Sequence, residues 1–234
     1  ALQKLNEERR IAHLLIASTS SVYGADDNLP FAESNPCDRP LTIYAATKKA
    51  SENIAHSNAH LWGLPTTVFR FFTVYGPWGR PDMALYKFVE AILNDRAIDI
   101  YNHGEIYRDF TYVADLVQAI RLLIDCPPPL VAGDDRGDDR GDARCPSQAI
   151  AGDSLSPIAP YRVVNIGNSD QIKLLDFIEA IEQQLGKRAI RNYLPMQKGD
   201  VPATFADASL LFRLTGYRPS TNYRAGIADF IAWY

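Results

Sequence analysis

Three short runs of apolar, β-branched and aromatic residues recur along the chain: IAHLLIAS (11–18), PTTVFRFF (65–72) and YRVVNIGN (161–168). Each reads as a strand buried in a sheet, because strands of this length covered on both faces carry near-continuous apolar sequence. Between and after them lie stretches with helical character, at 42–62, 83–95, 114–125 and 174–185, and two more at 207–214 and 223–233. AIDIY (97–101) and RDFTYV (108–113) read as further strands. Strands alternating with helices of this length predict an α/β fold with a largely parallel sheet.

Composition narrows the function classes. The chain has 234 residues, is 47% hydrophobic and 22% charged, and carries a net charge of −4, as ordinary globular proteins do. That charge gives no electrostatic case for nucleic acid or an anionic membrane surface. No apolar run reaches the roughly 18–20 residues of a membrane span. The opening ALQKLNEERR reads as the end of an amphipathic helix and not as a leader. Cys37, Cys126 and Cys145 are odd in number and scattered, without metal-ligand spacing, which fits free thiols in a reducing compartment. A cytoplasmic protein is the expectation.

The segment 127–160 breaks the alternation. It contains the near-repeat GDDR-GDDR-GDAR and is rich in Pro, Gly, Asp and Ser, so most of it is expected to be a mobile surface loop. Its two Arg-Gly-Asp triplets, at 136–138 and 140–142, are by-products of that repeat.

Chemistry concentrates at the ends of the predicted strands. Tyr44 and Lys48 stand four residues apart near the start of a helix, on one face. A cation near a phenol favours the phenolate and brings the tyrosine pKa down from about 10, which makes a general base. A half-buried tyrosine beside a solvated lysine on an ordinary surface helix is the alternative for this pair alone. Its neighbours decide: ASTSSVYG (17–24) and VFRFFTVYGPWGRPDMA (68–84) also follow strand ends, where ligands of parallel sheets gather.

In order, TSSVYG (19–24), YAATK (44–48), RFFTVYGPWGRPDMA (70–84), YRDFTY (107–112), VNIGN (164–168) and LPMQKGDVPATFADAS (194–209) resemble the extended short-chain dehydrogenase/reductases of the NAD-dependent epimerase/dehydratase family. Within that superfamily they are most similar to the UDP-glucuronate 4-epimerases. The resemblance implies an incomplete doubly wound, Rossmann-type parallel sheet with a smaller C-terminal substrate-binding α/β region. It divides the chain into 1–75, the C-terminal part of an NAD-binding domain; 76–108, a substrate-binding segment; 109–126, a return to the Rossmann domain; 127–160, the insert; and 161–234, the last Rossmann strand and the C-terminal substrate-binding region.

The same resemblance implies site residues. Tyr44 is the base that takes the proton of the sugar 4-hydroxyl, Lys48 assists it and holds the nicotinamide ribose, and Thr19 hydrogen-bonds the 4-oxygen. Phe71 joins Tyr44 and Lys48 as a contact of NAD. Ser20, Ser21, Thr73 and Arg80 face the sugar, whose carboxylate suits hydroxyl donors and a guanidinium; Arg80 can equally contact the diphosphate. Arg108 grips the phosphates, Tyr101 and Asn102 hold the uracil, and Asp200 lies near the nucleotide. Outside the resemblance, Arg108 reads as a rim salt bridge and Asp200 as a cap or turn.

Thr19 is followed by Ser20 and Ser21, with no carboxylate before Tyr23. The related 4,6-dehydratases carry Asp-Glu there to remove water, and the UDP-glucuronate decarboxylases a Glu, so the pattern implies simple epimerisation. The expected partners are a UDP-sugar substrate and a second copy of the chain in a homodimer, with no nucleic acid, metal or membrane segment. No G-x-x-G-x-x-G occurs in the sequence. That motif lets a backbone approach the cofactor pyrophosphate, so the chain is expected to be a fragment of a larger enzyme, ahead of a truncated product or one completed by a separate polypeptide. Epimerisation of a neutral UDP-hexose, a redox-inactive nucleotide-sugar binding module and an interaction protein acting through the Asp/Arg-rich loop are the alternatives.

Overall fold

The computed structural model describes residues 2–9, 11–129 and 153–234. In chain order its elements are α1 (Leu2–Arg9), β1 (Leu14–Thr19), α2 (Ile43–Trp62), β2 (Thr66–Phe71), β3 (Thr73–Tyr75), α3 (Ala84–Leu93), β4 (Ala97–Ile100), β5 (Tyr107–Arg108), β6 (Phe110–Tyr112) and α4 (Val113–Ile124). After the undescribed stretch come β7 (Tyr161–Ile166), β8 (Ile172–Lys173), α5 (Leu174–Leu185), β9 (Ile190–Tyr193), α6 (Ser209–Thr215) and α7 (Tyr223–Trp233).

The three apolar runs form one parallel sheet in the order β1-β2-β7, with Leu14 beside Thr66 and Thr66 beside Tyr161. All six residues of β7 and the first five of β2 are buried, which is why their sequences lack alternation. On one face lies α2. It starts where the Thr42 hydroxyl accepts the Ala45 N–H at 3.1 Å and ends at Gly63, in the left-handed region with φ 54°. Against the other face pack α4 and α6, through Leu116, Leu123, Leu210 and Leu211.

The smaller region assembles around Phe177, which is wholly buried and stacks on Phe110 with centroids 3.9 Å apart. Helices α3, α5 and α7 close this core over the parallel pair β4–β9. Two further pairs join the regions: β3 with β6, parallel, and β5 with β8, antiparallel.

Several sequence expectations are refined. The run 108–113 is two strands split at Asp109, whose fully buried carboxylate accepts the N–H groups of Asn168 at 2.7 Å, Ser169 at 3.0 Å and Ala206 at 3.1 Å. Those three bonds turn the chain from one sheet to the next and tie three distant loops together. The two-residue β8 and three-residue β3 are too short to leave a periodic signal, and β9 is mostly exposed. Cys126 is disulfide-bonded, so the expectation of three free thiols is corrected; Cys37 is free and buried. The GDDR repeat and both Arg-Gly-Asp triplets lie outside the described residues. The end of the expected loop is packed: Asp153 and Arg162 form a buried ion pair at 2.9 Å, and His56 of α2 meets Ser156 Oγ at 2.8 Å. No helix among the described residues is long and apolar enough to cross a membrane, and no group of three or more His, Cys, Asp or Glu among them could hold a metal ion.

Candidate active site

Strands β1 and β2 end side by side, Thr19 beside Phe71, and the chain beyond each bends into the same cleft of about 740 Å³. Thr19 is extended and caps a single 3-10 turn, Ser20–Tyr23, its hydroxyl oxygen accepting the Ser21 N–H at 3.2 Å. The turn ends at Gly24, with φ 59°, where a Cβ would lie 2.0 Å from the Arg39 carbonyl oxygen; a side chain cannot be placed there without moving backbone. Thr19, Ser20 and Ser21 are thus presented as a rigid hydroxyl shelf on one wall.

Helix α2 supplies a second wall. Its capped first turn carries Tyr44, 55% exposed, into the cleft. Lys48, one turn on, donates its ammonium to the Ala17 carbonyl at 3.0 Å and lies 6.0 Å from the centre of the Tyr44 ring. The helix face bearing the pair is thereby fastened to the strand that leads to Thr19. An ammonium has three protons to donate, so the contact to Ala17 leaves two for a ligand.

The opposite side brings the basic residues. Arg108, on β5, donates to Asp200 Oδ1 at 2.6 Å and to the Tyr107 carbonyl at 3.0 Å. Burial pushes its guanidinium below the usual range, and the Asp200 carboxylate pulls the other way. Arg80 stands on the rim, ion-paired with Asp82 and largely exposed. Phe71 and Thr73 complete the floor.

A second cavity of about 490 Å³ shares Thr73, Arg108 and Asp200 with the first and is lined by Tyr101. The two form an elongated site with the hydroxyl and phenol groups in one chamber, the half-buried Arg108 at the junction and an aromatic ring in the next. Ten of the twelve sequence-derived residues line one or the other chamber. Lys48 reaches the first through Tyr44, and Asn102, in a left-handed conformation with its amide donating to the Glu105 carbonyl at 2.7 Å, lines neither. Sequence reasoning missed Trp78, 86% exposed with φ 61° on the loop after β3, and Gly199 and Thr204 from the C-terminal region. All three lie inside motifs that carry the family resemblance, Trp78 in 70–84 and Gly199 and Thr204 in 194–209, and that was the readable signal.

Residues 2–134 match the NAD dependent epimerase/dehydratase family. A protein of Rhizobium meliloti named a probable UDP-glucuronate 4-epimerase is 53% identical over 95% of this chain, and a UDP-glucuronate 4-epimerase of Arabidopsis thaliana is 41% identical over 93%. The chain spans 62% of the first relative's length and 47% of the second's. Among solved structures, the UDP-glucuronic acid 4-epimerase of Bacillus cereus in complex with UDP-glucuronic acid and NAD superimposes with a TM-score of 0.79 at 27% identity, covering 99% of this chain and 64% of that one. With the strand-end site already in place, this match over more than half of the residues settles the family: the chain belongs to the NAD dependent epimerases/dehydratases.

Proposed function

We propose that this chain carries out the C4 epimerisation of UDP-glucuronate to UDP-galacturonate through a 4-keto sugar, with NAD as cofactor. The observation that carries this reading is the meeting of Thr19, Tyr44 and Arg108 in one cleft, with Lys48 holding the Tyr44 helix to β1. The names of the Rhizobium meliloti and Arabidopsis thaliana relatives, and the ligands of the Bacillus cereus structure, support it.

Tyr44, Lys48 and Phe71 would hold the nicotinamide end of NAD at the carboxyl ends of β1 and β2, where parallel sheets bind nucleotides. Bound there, NAD would supply the redox chemistry, a hydride acceptor for C4 of the sugar and a donor back to it. Tyr44 accepts the proton of the 4-hydroxyl, and Thr19 hydrogen-bonds the same oxygen and keeps it aimed at the phenol. Lys48 places a positive charge beside that phenol and hydrogen-bonds the ribose.

A 4-keto uronate is a β-keto acid and tends to lose CO2, so its carboxylate must be held. Ser20, Ser21 and Thr73 offer hydroxyl donors, and Arg80 reaches the same chamber once its guanidinium leaves Asp82. Arg108 holds the diphosphate in exchange for Asp200, and Tyr101 and Asn102 flank the base. Residues 1–75 and 109–126 serve the cofactor side, and 76–108 with 161–234 the sugar nucleotide. A homodimer would bury the exposed Ile43, Ile54 and Leu61 along α2, which light scattering checks. We place the protein in the cytoplasm; free Cys37 supports this and the bonded Cys126 opposes it.

Proton NMR of UDP-glucuronate with the chain and NAD+ tests the function. UDP-galacturonate signals are the expected result, reduced on the order of 100-fold or more in Tyr44→Phe. Equal turnover of the Tyr44→Phe protein would sink the assignment.

A further inference from the structure

Directly behind the hydroxyl shelf lies a buried polar cluster that the proposed chemistry does not use. Glu52 is 1% exposed and follows Tyr44 and Lys48 on α2 by eight and four residues, on the same side of the helix. Its carboxylate accepts Ser18 Oγ at 2.6 Å, Arg70 Nε at 3.0 Å, Arg70 Nη2 at 2.9 Å and Lys49 Nζ at 3.1 Å. Ser18 is the residue before Thr19. Arg70, on β2 and 3% exposed, sets its guanidinium 4.8 Å from the centre of the Tyr23 ring, which closes the turn that Thr19 caps. The Tyr23 hydroxyl donates to Asn165 Oδ1 on β7 at 2.7 Å. One carboxylate therefore grips the shelf at its strand end directly and at its far end through Arg70.

Desolvating such a pair commonly costs as much as the pairing returns, and an apolar pair would hold helix to sheet at least as firmly. An apolar pair lacks direction, whereas a two-pronged guanidinium–carboxylate contact fixes orientation as well as distance. We propose that Glu52 and Arg70 are positioning residues that set the Tyr44–Lys48 face of α2 against Thr19. This rests on the epimerase reading of those three residues.

The test compares wild type, Ser18→Ala, Glu52→Gln and Glu52→Leu/Arg70→Met, the last removing both charges so that neither is left buried alone. Turnover of UDP-glucuronate with NAD+ is measured beside NMR of protein labelled with 13C at the tyrosine Cζ, with the Tyr44 signal assigned by Tyr44→Phe. The expected result is a kcat lowered on the order of 100-fold in the double variant, a displacement of about 1 Å being enough for that. KM stays within about threefold, since binding groups are untouched. Ser18→Ala gives a smaller loss in the same direction and decides the matter if Glu52→Gln does not fold. The Tyr44 signal moves in every folded variant while that of Tyr234, far from the cluster, does not. A folded double variant with wild-type kcat, or an unmoved Tyr44 signal, overturns the proposal. Absence of turnover in wild type counts against the epimerase reading alone, because the Tyr44 signal is read without catalysis.

Discussion

Lys48 donates its ammonium to the carbonyl of Ala17 at 3.0 Å, two residues before Thr19. The lysine of the Tyr44 helix is therefore also a clamp on the strand that presents the hydroxyl shelf. Its replacement should act twice, through lost charge and through lost geometry. Lys48→Met keeps the apolar stem, which covers surface, but ends both. Turnover is expected to fall on the order of 1,000-fold, more than for loss of a general base contact alone. Lys48→Arg, which can still bond Ala17, should recover part of it. Equal rates for the Met and Arg variants would separate Lys48 from positioning.

Arg108 is the half-buried cation at the junction of the two chambers, held by Asp200 at 2.6 Å. A diphosphate entering the site competes with a carboxylate already in place. Arg108→Met is expected to weaken UDP binding on the order of 10- to 100-fold by titration calorimetry, the range for a charge-assisted hydrogen bond. It also leaves Asp200 facing the ligand, so Arg108→Met/Asp200→Asn should bind better than the single variant. A double variant that binds no better would show that the two residues do not compete.

The sheet was legible because β2 and β7 are buried on both faces and write that into near-continuous apolar sequence. The Tyr44 helix was legible over 42–62, and it runs from Ile43 to Trp62. What sequence reasoning could not reach were contacts made across long separations. Asp109 with Asn168 and Ala206, and Glu52 with Arg70, are spaced without a period and look like ordinary charged residues in a row of letters. Their partners come together only once the parallel sheet has brought distant strands side by side. The left-handed backbone of Asn102, with its amide donating to the Glu105 carbonyl, likewise leaves no mark in the sequence.

Glu33 accepts the Asn165 N–H at 2.8 Å, and burial pushes its carboxyl from 4.5 up to about 7. An acid whose folded value is raised stabilises the fold fully below its unfolded value and loses that contribution as pH rises through the folded one. Stability should therefore decline between about pH 4.5 and 7, by on the order of 2 kcal/mol after allowance for partial exposure. Glu33→Gln keeps an acceptor for Asn165 and cannot ionise. Urea denaturation across this range should show the decline in wild type and a flatter profile in the variant, which becomes the more stable protein at pH 8. Parallel profiles would remove Glu33 as the cause.

Asp153 and Arg162 pair with side chains 2% and 1% exposed. Asp153→Ala leaves a guanidinium buried without its counter-charge, at a cost of about 3–5 kcal/mol. Arg162 also donates to the Cys126 carbonyl at 3.2 Å, so the loss should be felt on both sides of the undescribed stretch. The check is thermal unfolding of Asp153→Ala against Asp153→Ala/Arg162→Met, where the double variant is expected to regain most of the stability. A single variant as stable as wild type would mean that water reaches Arg162.

Gly226 lies inside α7, where an added Cβ would stand 2.4 Å from the Tyr75 hydroxyl and 2.7 Å from Tyr75 Cε2. That hydroxyl is buried with no hydrogen-bond partner, and burial pushes it well above the usual phenol range. Two effects oppose each other in Gly226→Ala: about 1 kcal/mol gained in helix propensity, and about 1–3 kcal/mol lost to overpacking against a ring that is 5% exposed and cannot swing away. The clash should win, lowering stability by roughly 1 kcal/mol. Tyr75→Phe removes the nearest clashing atom and an unpaired buried polar group together, so it should stabilise by about 1 kcal/mol, while Tyr75 Cε2 at 2.7 Å and Tyr112 Cδ2 at 2.8 Å still oppose a Cβ. In Tyr75→Phe/Gly226→Ala the clash is relieved only in part, and the pair should exceed the sum of the singles by about 0.5 kcal/mol or more, as contacting residues do. Additive values in urea denaturation would mean that the hydroxyl is not what keeps position 226 a glycine.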